Sequence, residues 1–293
     1  MNYLVTHKTN YFYSATAPLS FNQLRLRPRT FNGQNCLQFH FRSNPHFSFC
    51  SESIDFFGNS VLFFSVQEDH KILQVEAESL VDVKNISVLG TSHSLTWENV
   101  RENMTLGQIE LALEARQFLY DSPFIKRSAE LANYALPSFA PGRSFIEAIM
   151  DLTTRIHQDF TYAPNETHIK TPLPEILHLK KGVCQDFAHI GIGCLRSLGI
   201  PARYVSGYLE TLPPEGKEKL VGSDASHAWF SVPVPSIGWL DFDPTNNLIL
   251  SNRHITIGWG RDYGDVMPLN GIYWGNGLQT LSVSVDVARQ ISM

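Results

Sequence analysis

Three short segments of this chain carry side chains that together could attack a carbonyl carbon. Cys184 follows a glycine-containing segment. His227 has polar residues before it in the chain and apolar residues after it. Asp241 and Asp243 flank Phe242. A thiol nucleophile needs an imidazole to take its proton, and the imidazole needs a carboxylate to fix its tautomer and stabilise its charged form. These residue types therefore indicate nucleophilic catalysis by a cysteine.

Cys184 is predicted to lie in the first turn of a helix. Apolar residues recur after it at helical spacing, Gly199 occupies the position of a C-cap glycine, and Pro201 stops any continuation. Free backbone N–H groups and the positive end of the helix dipole favour a thiolate at a helix start. Cys194 falls on the apolar face of the same helix, which is typical of a structural cysteine.

Two histidines compete for the role of base. His189 follows Cys184 on the same helix, and on an ideal helix its side chain is rotated about 140° from that of Cys184. We therefore interpret His189 as a core or surface residue. His227 is predicted to lie on a separate strand, from which it can approach the thiol across a cleft.

The orienting carboxylate is predicted to come from the strand that follows His227. A turn at Pro235–Gly238 joins the strands at 227–232 and 239–242, so that they pair as antiparallel neighbours. Asp241 and Asp243 are two residues apart and share a face of their strand, so the spacing leaves open which of them meets the imidazole.

A metal site has weaker support in the sequence. Cys184, His189 and Cys194 have ligand chemistry, but the two cysteines would lie about 15 Å apart along one helix, too far to share an ion. The chain contains no Cys-x-x-Cys pair. We therefore expect no metal and no cofactor.

Composition restricts the classes of partner and compartment. The chain has 293 residues, a formal net charge of −5, 43% hydrophobic residues and 17% charged residues, as expected for a folded globular protein. An acidic balance argues against nucleic acid or anionic membrane as the main partner. The first residues lack the pattern of a signal peptide, and four cysteines are too few for a disulfide framework. These observations predict a cytoplasmic protein with free thiols, and they leave its oligomeric state open.

Periodicity divides the chain into three predicted parts. From about Leu24 to Val83, apolar and polar residues alternate as in antiparallel strands, and the abundance of phenylalanine suits a β-sandwich core. Helical spacing follows between Met104 and Leu136, and Pro137–Gly142 is the best candidate for a linker. We predict an N-terminal β domain at residues 1–100, a helical connector at 101–140 and a catalytic core with a C-terminal β extension at 141–293.

Nearly the whole chain resembles bacterial members of the transglutaminase-like superfamily that carry their own N-terminal β domain. The resemblance rests on five segments: Gly182–Tyr208, Ser226–Trp229, Phe242–Asn246, Asp55–Asn59 and Gly260–Pro268. It implies an α+β fold with a papain-like core, in which the nucleophile's helix packs on an antiparallel sheet. It also matches Cys184 to the nucleophile, His227 to the base and Asp243 to its acidic partner, because the family places its acid just before a turn rich in proline and threonine.

The function implied by this resemblance is acyl transfer from amide or peptide bonds through a thioester, by a peptidase, amidase or acyltransferase acting on peptides or proteins. Hydrolysis is slightly favoured over transamidation because water is always available as the acceptor. The alternative is a non-catalytic peptide-binding or assembly module on the same fold. Tyr162 and Gln185 are candidates for an oxyanion donor beside the backbone N–H of Cys184. Trp229 and Tyr208 either line the cleft or fill the core.

Overall fold

The computed structural model describes residues 1–84, 95–107, 111–211, 226–235 and 237–290. The sequence also predicts a polar loop at Pro213–Asp224, and this segment lies outside the described residues. Within them, an all-β unit built from both ends of the chain packs against a core of one sheet and several helices. The α+β class with an N-terminal β region and a transglutaminase-like core, as predicted, is confirmed.

The all-β unit is a pair of four-stranded antiparallel sheets that enclose a common apolar core. Its strands are β1 (Asn2–Ala17), β2 (Leu19–Leu24), β3 (Gln34–Asn44), β4 (Phe49–Ile54), β5 (Ser60–Val66), β6 (His70–Val83), β14 (Leu269–Trp274) and β15 (Gln279–Gln290). The strand orders are β15-β1-β6-β3 and β14-β2-β5-β4. Buried and accessible residues alternate along β1 and β6, which is the period-two pattern of a strand with one buried face.

The last two strands of the third predicted part pair with the first strands of the chain. Strand β15 pairs with β1 from Asn2 to Tyr13, and β14 pairs with β2. The final strands therefore complete the N-terminal β unit and do not extend the sheet of the catalytic core. Pairing between residues that are hundreds of positions apart leaves no local signal in the sequence.

The core has a five-stranded antiparallel sheet in the order β12-β11-β10-β9-β13. Its strands are β9 (Arg203–Leu209), β10 (Ser226–Val234), β11 (Gly238–Asp243), β12 (Leu248–Ile249) and β13 (His254–Gly260). Two short parallel strands, β7 (Thr161–Tyr162) and β8 (Lys181–Gly182), lie just before the helix that begins at Cys184. The antiparallel pairing of β10 with β11, predicted from the short turn, is confirmed.

Six helices cover this sheet and one another: α1 (Trp97–Leu106), α2 (Ala112–Arg116), α3 (Ala129–Ala135), α4 (Phe145–Asp159), α5 (Leu173–Leu179) and α6 (Cys184–Ser197). Helix α6 is almost wholly buried, because it packs on β10 and is flanked by α3, α4 and α5. No helix among the described residues is long and apolar enough to cross a membrane.

The segment predicted as a linker, Pro137–Gly142, is a turn inside one packed unit. Phe139 belongs to the same apolar cluster as residues of α1 and α4 on either side of it. The indole Nε1 of Trp97 donates a hydrogen bond of 3.0 Å to the carbonyl of Ala140. Proline and glycine mark a change of direction here and not a domain boundary.

Two side-chain amides of the β unit close the free edge of the core sheet at β13. Gln34 donates to the carbonyl of Thr256 and accepts from its N–H, both at 2.7 Å. Asn59 bonds the N–H and the carbonyl of Trp259 in the same way, at 3.0 and 2.9 Å. Each amide thus makes the two backbone hydrogen bonds that a residue of a neighbouring strand would make, so the N–H and carbonyl groups of Thr256 and Trp259 have partners at this edge.

Candidate active site

Cys184 is the first residue of α6, as predicted, and follows Val183 in an extended conformation. The carboxylate of Asp186 fixes this turn by accepting hydrogen bonds from the N–H of Val183 at 2.8 Å and the hydroxyl of Thr167 at 2.7 Å. A Cβ on Gly182 would lie 2.5 Å from Oδ2 of Asp186, so the turn has room only for glycine. The thiol is therefore held at a helix start by a capping carboxylate and a close backbone approach.

His227 is the second residue of strand β10, opposite Gly207 of β9, and is only 9% exposed. Its Nε2 lies 2.7 Å from Oδ2 of Asp243, which leaves Nδ1 for the thiol of Cys184. Burial alone would lower the pKa of His227, but hydrogen bonds with Asp243 and Cys184 outweigh it and raise this pKa from 6.5 to about 10. The raised pKa keeps the imidazole in its charged form at neutral pH, next to the thiol of Cys184.

The carboxylate of Asp243 is fully buried and saturated with hydrogen-bond donors. Oδ1 accepts from the backbone N–H groups of Thr245 at 2.9 Å and Asn246 at 3.1 Å. Oδ2 accepts from His227, from the side-chain amide of Asn246 at 2.7 Å and from Nε2 of His254 at 3.1 Å. Burial alone would raise the pKa of Asp243, but the donations from the two histidines reverse this and hold it well below its usual range.

The choice between the two aspartates follows from their partners. Oδ2 of Asp241 accepts a hydrogen bond of 3.2 Å from the indole Nε1 of Trp229, whereas Asp243 meets His227. Burial raises the pKa of Asp241, and the nearby guanidinium of Arg203 opposes that shift. Asp243 is therefore the carboxylate next to the imidazole, as the resemblance implied.

His189 lies in the core, as interpreted from its rotation on α6. It is 3% exposed, and its Nε2 accepts a hydrogen bond of 3.2 Å from the N–H of Tyr263. Its ring lies near those of Phe124 and Tyr204, with centroids 6.2 and 5.0 Å away. Burial lowers the pKa of His189 to about 3, so the ring is neutral and unsuited to act as a base near neutral pH.

Two of the predicted substrate-contacting residues lie beside the thiol. Tyr162 on β7 pairs with Gly182, two residues before Cys184, and is 53% exposed. Burial and the charge of Cys184 both raise the pKa of Tyr162, so its hydroxyl keeps its proton and can donate. Gln185 follows Cys184 directly on α6 and is partly accessible.

The other two predicted cleft residues, Trp229 and Tyr208, fill the core. Trp229 is completely buried, and its ring covers Gly207, where an added Cβ would lie 2.3 Å from the indole. Tyr208 is 1% exposed and its hydroxyl hydrogen-bonds Nδ1 of His7 at 2.9 Å, between the core sheet and the β unit. Tyr208 belongs to the apolar cluster of the β unit, and the ring of Trp229 packs between Gly207 and the ring of His254, so neither lines an open cleft.

The remaining cysteines lie in settings that suppress the thiolate. Burial raises the pKa of Cys194 to about 12, and burial also raises the pKa of Cys36 and Cys50. All four cysteines are free thiols. Cys184 is the one among them that faces an imidazole.

One group of side chains has the proximity that a metal ion would need. The ligand atoms of His227, Asp243 and His254 lie within 4.8 Å of one another. The carboxylate already accepts a hydrogen bond from each of the two imidazoles, so these atoms satisfy one another without an ion. In the set weighed from the sequence, His189 and Cys194 are buried in the core around α6.

Sequence reasoning missed three residues of this network. Asn246 was part of a recognised motif, and its position after Asp243-Pro244-Thr245 fits a side chain that caps a turn. Asp186, as an acidic residue in the first turn of α6, carried the signal of a helix-capping residue. His254 had no local signal, because β13 meets β9 and not β11, and only the folded sheet brings it to Asp243.

Comparison with known proteins identifies the family of this chain. The model of the bacterial transglutaminase-like N-terminal region matches residues 3–82, and that of the transglutaminase-like superfamily matches residues 135–244, which include Cys184, His227 and Asp243. An uncharacterized protein of Mycobacterium tuberculosis is 40% identical over 294 residues, covering 97% of this chain and 92% of the relative. A protein-glutamine gamma-glutamyltransferase of Pseudomonas aeruginosa is 31% identical over 122 residues, covering 41% of this chain and 18% of that enzyme.

A solved structure shows the same fold over the whole chain. It is that of a protein from Cytophaga hutchinsonii, provisionally assigned as a cysteine protease, with a TM-score of 0.78 and 22% identity. The match covers 100% of this chain and 92% of that one. The family-model matches, together with this fold and the order of Cys184, His227 and Asp243, show that the chain belongs to the transglutaminase-like superfamily, in the bacterial group with its own N-terminal β region.

Proposed function

We propose that this protein is a cysteine-dependent acyl-transfer enzyme that acts on amide or peptide bonds of peptides or proteins through a thioester intermediate. The observation that carries the proposal is His227, whose Nε2 bonds the buried Asp243 while its interaction with Cys184 raises its own pKa. A charged imidazole between a thiol and a saturated carboxylate is suited to activating the thiol and to protonating a leaving amine.

In the first half of the proposed reaction, the thiolate sulfur of Cys184 attacks the carbonyl carbon of a bound amide. The carbonyl electron pair moves to the oxygen, and the proposed donors to that oxygen are the backbone N–H at the start of α6 and the hydroxyl of Tyr162. The intermediate then collapses, the carbon–nitrogen bond breaks, and the amine leaves with a proton from His227. The thioester on Cys184 and a neutral imidazole remain.

In the second half, an acceptor replaces the sulfur. Water or a primary amine gives a proton to His227 and attacks the thioester carbonyl, and the carbon–sulfur bond breaks to return the thiolate and the imidazolium. Water yields a carboxylic acid and an amine yields a new amide. We favour hydrolysis slightly because water is always present, and the partial likeness to a glutamyltransferase supports testing amines as acceptors.

The proposal is tested by screening peptide and amide libraries with intact-protein mass spectrometry. We expect an acyl adduct on the wild-type protein and on Cys50→Ala, which removes an exposed thiol away from the site, and none on Cys184→Ala. Addition of a primary amine should raise the yield of transfer product at the expense of hydrolysis product. Total substrate consumption should stay constant, because the thioester forms before water and the amine compete for it. Tight binding of peptides without any adduct or product would overturn the enzyme proposal in favour of a peptide-binding module.

A further inference from the structure

His254 is a buried histidine that directs one ring nitrogen at the acid of the site. Its side chain is 0% exposed, and its Nε2 lies 3.1 Å from Oδ2 of Asp243. Its Nδ1 lies 3.5 Å from the hydroxyl of Ser251, and its ring meets that of Trp229 edge-on at a centroid distance of 5.2 Å. These contacts assign the Nε2 proton to the bond with Asp243 and fix the orientation of the ring.

The oxygen that His254 contacts is the same one that holds His227. A carboxylate with no exposed surface stays ionised only when donors replace its lost hydration. The bond from His227 is present only while that ring points correctly, whereas His254 is enclosed by packing and donates whatever His227 does. Two further ionisable groups lie near His254: the ring of His227, with a centroid distance of 6.1 Å, and Asp241 on β11, which interacts with it electrostatically.

The position of His254 is set from outside the core. Thr256 lies two residues further along β13. The side-chain amide of Gln34, in the β unit, makes hydrogen bonds with both the backbone N–H and the backbone carbonyl of Thr256. The backbone N–H of Arg29 adds a third bond, of 3.1 Å, to the same carbonyl. Strand β13 is the edge of the core sheet, so the contacts from the β unit supply the hydrogen bonds of a missing neighbour.

We propose that His254 is a positioning residue, which keeps the Asp243 carboxylate ionised and oriented toward His227. In this proposal the N-terminal β domain fixes the position of His254 through the hydrogen bonds of Gln34 with Thr256 of β13. This inference rests on the proposed function for its consequence in catalysis, but its structural part can be measured without a substrate.

The first test follows the carboxyl carbon of Asp243 by ¹³C NMR as the pH is lowered, in full-length protein, with the signal assigned by its absence in Asp243→Asn. His254→Phe keeps an aromatic ring but removes the donor, and should move the titration up by about one to two pH units, the size expected for a hydrogen bond to a charged group. His254→Gln places an amide N–H near the position of Nε2 and should restore most of the wild-type behaviour.

A matched control separates this role from ordinary burial. His7→Phe also replaces a buried, hydrogen-bonded histidine near the same sheet, but its partners are Tyr208 and Thr9 and not the acid. It should leave the Asp243 titration unchanged whatever it does to the melting temperature. An equal shift in His7→Phe and His254→Phe, or no shift in either, would overturn the proposal.

The link to the β domain is tested on the same signal. Gln34→Ala should shift the Asp243 titration in the same direction as His254→Phe but by less. The His254 donor remains in this variant, and only the hydrogen bonds that hold β13 in place are lost. Asn59→Ala, which loosens β13 three residues further along at Trp259, should shift it less again. Equal titration shifts in Gln34→Ala and Asn59→Ala would show that any contact between the β unit and β13 has this effect, and would contradict a specific role for the hydrogen bonds at Thr256.

The catalytic consequence is measured with a substrate from the library screen. His254→Phe should lower kcat about 10-fold to 100-fold with little change in KM, and His254→Gln should recover most of that loss. A titration shift without loss of kcat would overturn the positioning role, while leaving the function intact. Absence of turnover in the wild-type protein would defeat the proposed function, whereas the titration results would still decide whether His254 holds Asp243.

Discussion

At the scale of single residues, the site depends on how its charges are compensated. The imidazole of His227 is shielded from water, and its charged form persists because Asp243 accepts one of its protons in a hydrogen bond. That carboxylate is kept ionised in turn by backbone and side-chain donors around it. The imidazolium of His227 is therefore stabilised by Asp243, and the carboxylate of Asp243 is stabilised by donors whose positions the fold determines.

The four cysteines should differ in reactivity. We expect iodoacetamide at pH 7 to modify Cys184 at least about tenfold faster than Cys50, which is exposed but lacks an imidazole partner. Cys194 should stay unmodified in the folded protein because burial raises its pKa to about 12. Peptide mapping after brief labelling measures this, and labelling of Cys50 ahead of Cys184 would contradict the assignment of the nucleophile.

Replacement of the acid should damage catalysis far more than folding. Asp243→Asn keeps the shape of the side chain but removes the charge that stabilises the imidazolium, so kcat should fall by about 10²-fold to 10⁴-fold. Asp241→Asn is the matched control on the same strand, and should lower kcat much less because Asp241 bonds Trp229 and not the base. Similar losses in the two variants would contradict the choice of Asp243.

The raised pKa of His227 predicts a pH dependence of stability. A histidine whose pKa rises from 6.5 to about 10 on folding stabilises the protein fully below pH 6.5 and loses that contribution as the pH rises toward 10. The stability advantage of the wild type over His227→Gln should therefore shrink by about 1 kcal/mol or more between pH 6.5 and 10. Chemical denaturation at several pH values measures it, and a constant difference would refute the raised pKa.

At the scale of elements, the thiol and the base are brought together by the close packing of α6 on β10. Gly191 in the middle of α6 lies against the ring of Phe230, where an added Cβ would be only 2.6 Å from the nearest ring carbon. The absence of a side chain there lets the helix approach the strand that carries His227. Any side chain larger than that of glycine at this position would force the helix and the strand apart.

Gly191→Ala should push α6 away from β10. An aromatic ring packed in the core cannot yield easily, so we expect a loss of about 1–3 kcal/mol in the free energy of unfolding despite the higher helix propensity of alanine. Gly193→Ala, on the same helix, meets the ends of Leu131 and Leu173 at 3.0 Å, which can move, and should cost much less. Denaturant titration of both variants measures the contrast, and equal losses would show that the Phe230 contact is not limiting.

At the scale of the whole molecule, the two ends of the chain fold together. Strand β15 pairs along β1, and β14 pairs with β2, so the β unit is complete only when the last strands have returned to the first ones. The same unit holds the edge of the core sheet through Gln34 and Asn59. The transglutaminase-like core and the β unit are consequently expected to unfold together.

A fragment of residues 141–293, the core expected from the sequence, should not fold by itself. It contains β14 and β15 without their partners, and it lacks the residues of α1, α2 and α3 that share the apolar cluster of α6. Residues 95–268 keep that cluster and omit the two unpaired strands, so this fragment should be more soluble and better ordered by near-ultraviolet circular dichroism. Cooperative unfolding of 141–293 with a native spectrum would contradict the shared fold.

The sequence by itself determined the parts of this protein that depend on neighbours in the chain. Glycine before Cys184 and the apolar repeat after it placed the thiol at a helix start, and the short turn between two strands placed an aspartate beside His227. The spacing of Asp241 and Asp243 left open which of them meets His227, because the two share a face of β11; the folded sheet brings Asp243 to the imidazole, in agreement with the family resemblance. Only the tertiary structure decided that His254 joins the site, that Trp229 turns into the core, and that the last strands belong with the first, since each depends on contacts between segments far apart in the chain.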